Sequence, residues 1–165
     1  MVERRTLLVG GGAVAVALLI AIAVIGPSDF FLPEQSTLVQ EGAATAGDEV
    51  LARGTFVGAA GHDVSGTVLL LRDDAGLYLR FEDYSQQQGP DVFVYVTPSA
   101  TPDTRSEIDA GTRVLIDGGA DGGESTKEGT FSQRLPEGVT AEEIGGVGIW
   151  CDRFATPFGY ATMEA

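Results

Sequence analysis

Two residue types that could do chemistry occur once each in this chain of 165 residues: the thiol of Cys151 and the imidazole of His62. A thiolate is a nucleophile, a redox group or a ligand to a metal or prosthetic group. One thiol cannot close an intramolecular disulfide or build a Cys-based zinc site, and one imidazole cannot form a three-His metal site. Brought together, the two would make either a nucleophile with its base or a pair of axial ligands. Alternation along a strand puts Val147, Ile149 and Cys151 on one face and Trp150 on the other. If the Val/Ile face points inward, Cys151 is a small, inert core residue. Arg153 falls on the cysteine's side and would favour a thiolate, and Met163 offers a thioether. His62 sits between Gly61 and Asp63, where the carboxylate would orient the ring and raise its pKa. The alternative is a histidine that satisfies loop backbone groups.

A third group lies in a glycine-rich loop over residues 117–129, where Asp117, Asp121 and Glu124 could gather Ca²⁺. Their spacing departs from the EF-hand loop, and a solvated acidic loop explains them equally. The chain has no G-x-S-x-G, H-E-x-x-H or C-x-x-C motif, so no catalytic residue is assigned and nothing marks an enzyme.

Acidic side chains number 24 against 10 Lys and Arg, a formal net charge of −14. That balance excludes nucleic acid as a partner, because phosphate binding needs clustered cations. Many carboxylates with a single lysine, Lys127, suit a protein kept hydrated in concentrated salt, and a halophilic source is expected.

Four segments would position these residues. Residues 1–6 carry Arg4 and Arg5 and should stay cytoplasmic. Residues 7–25 are uncharged and apolar, long enough for a membrane-spanning signal anchor. A cleaved signal peptide using Ala21 and Ala23 is the alternative; either way the remainder is exported. Residues 26–49, broken by Pro27, Pro33, Gly42 and Gly47, read as a flexible stalk without chemistry. From residue 50 onward, seven or eight short β runs predict an all-β domain, an antiparallel sandwich or barrel. Residues 73–76 are a hairpin turn, and 92–96, apolar on both faces, should be a central strand. Residues 140–144 are one helical turn at most.

The order of landmarks resembles a known family. Gly54, Thr55 and Phe56 lead into His62, Val64 and Gly66; Gly89, Pro90 and Asp91 open the next strand; Trp150, Cys151 and Phe154 close the series. Across residues 52–162 this is similar to the DM13 domain, an extracellular all-β module. The resemblance implies a redox role centred on Cys151, either as a bare thiol or as the holder of a group such as haem. A haem pocket would draw on Phe56, Phe81, Phe93 or Trp150. The family's association with DOMON and cytochrome b-type modules implies membrane redox proteins as partners.

Two readings result. The first is a single-pass membrane protein, N-terminus cytoplasmic and held in lipid by its N-terminal helix, whose extracellular domain transfers electrons through Cys151. The second is a cell-envelope binding or structural module with an inert core cysteine.

Overall fold

The computed structural model of the chain describes residues 35–43 and 47–165. The expected anchor at 7–25 lies outside the described residues, and no helix among those described is long and apolar enough to cross a membrane.

Among the described residues there are nine strands: β1 (Thr37–Gln40), β2 (Glu49–Gly58), β3 (Val64–Asp73), β4 (Gly76–Gln86), β5 (Val92–Thr97), β6 (Thr112–Val114), β7 (Lys127–Arg134), β8 (Gly146–Cys151) and β9 (Thr156–Thr162). They join in one sheet, in the order β1-β7-β4-β3-β2-β9-β8-β5-β6. The expected all-β class holds, but the architecture differs: one curled mixed sheet, a half-barrel, replaces an antiparallel sandwich or barrel. Its curl has a visible cause. Residues 49–55 of β2 pair with β3, while Phe56, Val57 and Gly58 pair with β9. Register shifts in β2, β3 and β4 add the local bend and twist that bulges bring. The concave side is then filled from both halves, with Val68, Leu79 and Phe81 facing Val94, Val147 and Ile149 in one core.

The hairpin forms as expected, with Asp73 paired to Gly76. Gly76 sits at φ +117°, a conformation that side-chain-bearing residues rarely adopt. Residues 141–143 make a single 3₁₀ turn.

Two expectations are corrected. The stalk reading fails from Thr37 onward, because β1 pairs in parallel with β7. Arg80 Nη2 donates to Gly42 O at 2.5 Å, and Tyr78 OH donates to Asp48 Oδ2 at 2.6 Å. Four residues of β1 without an apolar alternation give no strand signal by themselves; the open edge of β7 recruits them. The second correction concerns β5, which lies next to the sheet edge rather than centrally. Both its faces are nonetheless buried, because α1 (Arg105–Asp109) covers the convex side. Ile108 of α1 packs there with Phe93, Tyr95 and Trp150. A Cβ at Gly148 would lie 3.0 Å from Ile108 Cδ1, so the glycine allows this close approach. A five-residue helix is too short to show a helical period, and none is read from the sequence. Its start is held by Glu107, which accepts from the Thr104 N–H at 3.0 Å and hydroxyl at 2.6 Å.

Candidate functional site

Cys151 ends β8 on the concave face, with no exposed surface, in the same core as Val92, Val147, Ile149 and Phe158. The alternation of β8 puts Trp150 on the convex face beside Phe93, its pairing partner across the ladder. The two neighbours therefore face away from each other and share no pocket.

The thiol is held by the loop before β5. Cys151 Sγ donates to Pro90 O at 3.1 Å. Asp91, at φ +54°, accepts the Asp152 N–H on its carbonyl at 2.8 Å and receives Arg153 Nε on its carboxylate at 2.6 Å. Burial pushes the Cys151 thiol pKa up; the backbone N–H groups of Phe154 and Arg153 oppose this, and the Asp91 charge adds to it. The guanidinium of Arg153 has the smallest effect. It lies against Asp91, so its proximity in sequence does not make it the thiol's counter-ion.

His62 stands at the same end of the sheet but not against the cysteine. Its ring stacks on Phe158 with centroids 3.8 Å apart, and Nδ1 donates to Ala59 O at 3.3 Å. A backbone carbonyl, not the carboxylate of Asp63, orients the imidazole. The stack is closed in by Gly89, where a Cβ would sit 2.8 Å from Phe158 Cζ. Met163 belongs to the other end of β8, where its N–H donates to Gly145 O at 3.0 Å. It is not a partner for Cys151.

The glycine-rich loop divides its acids. Asp117 and Asp121 are exposed, while Glu124 is 2 % exposed and turned inward, where its Oε1 accepts the Asp91 N–H at 2.8 Å. The expected Ca²⁺ set is thus corrected: no group of three or more His, Cys, Asp or Glu suited to a metal exists among the described residues. Beyond Glu124, Ser125 N donates at 2.8 Å to the carbonyl of Val92, the residue that pairs with Cys151 across the ladder. Ser125 Oγ donates to Gln86 Oε1 at 2.9 Å, and Tyr84 OH also bonds Gln86. The sequence reading missed this buried polar group and the roles of Pro90 and Glu124. Only the Gly-Pro-Asp tripeptide flagged the place.

A haem does not fit this arrangement. Cys151 Sγ is enclosed by core side chains, and four surface cavities of about 330 to 670 Å³ do not include it in their walls. Phe81 is stacked on Phe131 at 4.7 Å and Phe56 on Phe81 at 6.0 Å, so these rings fill space for one another. Phe93 and Trp150 lie across the sheet.

The family described as electron transfer DM13 matches residues 55–163. The chain belongs to the DM13 family. The match takes in every strand from β3 to β9, together with Cys151, His62 and Pro90. No curated protein and no solved structure matches the chain.

Proposed function

We propose that this DM13 protein is a membrane-anchored, extracytoplasmic redox module that works through the Cys151 thiol. Membership of an electron-transfer family supports a redox role. The observation that carries the choice of group is the elaborated setting of the chain's one thiol, fastened to Pro90 O next in sequence to the Asp91–Arg153 ion pair. Anchoring rests on the apolar run at 7–25 behind Arg4 and Arg5. Membrane redox proteins of the cytochrome b or DOMON kind are the proposed partners.

A lone thiol exchanges electrons in pairs through an external disulfide. Cys151 gives its proton to solvent, its sulfur bonds to one sulfur of the disulfide, and the other sulfur leaves as a thiolate that takes up a proton. A second external thiol then attacks the mixed disulfide and releases Cys151. Reaction requires the 152–155 turn to lift, since the resting sulfur is covered. That turn carries the exposed Phe154 and Ala155 at φ +48°.

Full burial of Cys151 and its raised pKa favour the second reading, a binding or structural module. Cys151→Ser separates the two in membranes of the native host. Loss of thiol-dependent electron flow, with folded protein at normal levels, supports the redox reading. Unchanged flow overturns it. A Soret band in the purified chain that shifts with dithionite and vanishes in Cys151→Ser would replace the bare thiol by haem.

A further inference from the structure

We propose that Glu124 is a positioning residue for Cys151, setting the protonation of the thiol through the single peptide unit between them. That unit is the Pro90–Asp91 amide. Its carbonyl accepts the thiol proton at 3.1 Å, and its N–H donates to Glu124 Oε1 at 2.8 Å. Thiol, amide and carboxylate thus form one chain of two hydrogen bonds that share a resonant group. An anionic acceptor on the N–H side draws electron density toward the carbonyl oxygen, because C–N double-bond character couples the two ends. A more negative oxygen holds an S–H donor and repels a thiolate, so Glu124 in its ionised form keeps sulfur protonated.

Three features make the coupling more than a surface contact. Glu124 is 2 % exposed and therefore little screened by solvent. Gly123, at φ +112°, turns the chain so that the next side chain points inward; a Cβ there would lie 2.7 Å from that of Leu115. The chain just after the amide is held in place as well, by Asp152 N donating to Asp91 O and by Ser125 N donating to Val92 O, each at 2.8 Å. The charged groups around the thiol come from three segments: Glu124 from the loop before β7, Asp91 from the loop before β5, and Arg153 from the turn after β8. Asp152 points away, toward Tyr95 OH at 2.8 Å and Arg113.

This deepens the thiol reading and rests on it for biological purpose: a resting thiol kept as S–H resists stray oxidation until the 152–155 turn lifts and breaks its bond to Pro90. The arrangement is tested without any redox assay, so its failure and that of the thiol reading are distinguishable. The full-length chain in detergent has one cysteine, so its S–H stretching band and thiolate ultraviolet absorbance report Cys151 alone. Glu124→Gln keeps an acceptor oxygen and removes the charge. The expected result is an S–H band moved toward that of a weaker donor, with a thiol titration midpoint lower by about one pH unit. An unmoved band and midpoint overturn the proposal. Should the variant not fold, the wild-type band between pH 7 and the acid limit of folding decides. Movement as one carboxylate protonates, retained in Asp91→Asn, supports Glu124; a constant band overturns it.

Discussion

Arg153 Nε lies 2.6 Å from the Asp91 carboxylate, and the pair joins the turn after β8 to the loop before β5, the same two segments that the Cys151–Pro90 hydrogen bond connects. Both side chains are about a third exposed, at 36 % each. An ion pair so placed contributes little to global stability and more to the frequency with which the turn opens.

Arg153→Gln should therefore unfold within about 1 kcal/mol of the wild type while its thiol reacts faster with a disulfide reagent under native conditions. Asp91→Asn should behave alike, since Asn tolerates the positive φ that Asp91 adopts. Equal native reaction rates in the variants and wild type would show that the pair does not govern access.

Cys151→Ser and Cys151→Ala should differ in a diagnostic order. A serine hydroxyl can still donate to Pro90 O but places a more polar group among Val147 and Ile149. Alanine deletes the donor and leaves a void, at a cost of roughly 1–3 kcal/mol. Urea unfolding of both variants, followed by tryptophan fluorescence of Trp150, measures the two costs. An alanine variant as stable as wild type would mean that the thiol's packing and hydrogen bond contribute nothing.

Gly89→Ala should disturb His62 from a distance. Its Cβ would meet the Phe158 ring at 2.8 Å, and that ring carries the imidazole. Overpacking of this kind costs about 1–3 kcal/mol. The His62 ring resonances, shifted by stacking in the wild type, should move toward unstacked values in the nuclear magnetic resonance spectrum.

Acid stability should depend on the hairpin. The Arg134 hydrogen bond, offset in part by burial, lowers the Asp73 pKa from 3.8 to about 2. A carboxylate whose folded pKa lies below its unfolded one stabilises the fold above about pH 4, and that contribution is lost as pH falls through about 2. Arg134→Gln should flatten this part of the profile of urea midpoint against pH. A profile that keeps its wild-type slope between pH 4 and 2 would assign the acid sensitivity to other groups.

Local pattern alone determined much of this protein. Short apolar runs marked β3, β5 and β8, alternation marked β4, and the same alternation along β8 placed Cys151 and Trp150 on opposite faces, because a strand turns each successive side chain by half a revolution. The turn at 73–76 was legible from its Asp and Gly residues, and the run of landmarks around Gly89, Pro90 and Cys151 pointed to the DM13 family. What tertiary structure decided were the relations between segments far apart in the chain. Thr37 to Gln40 became a strand only because β7 offered an open edge, and β5 was buried twice only because Ile108 crossed over it. Glu124 looked like one of three similar acids in a glycine-rich loop; folding exposed Asp117 and Asp121 and drove Glu124 against the Asp91 N–H. A hydrogen bond between a side chain and a distant backbone leaves no period in sequence, since any residue supplies the backbone partner. For that reason the site around Cys151 had to be read from the fold.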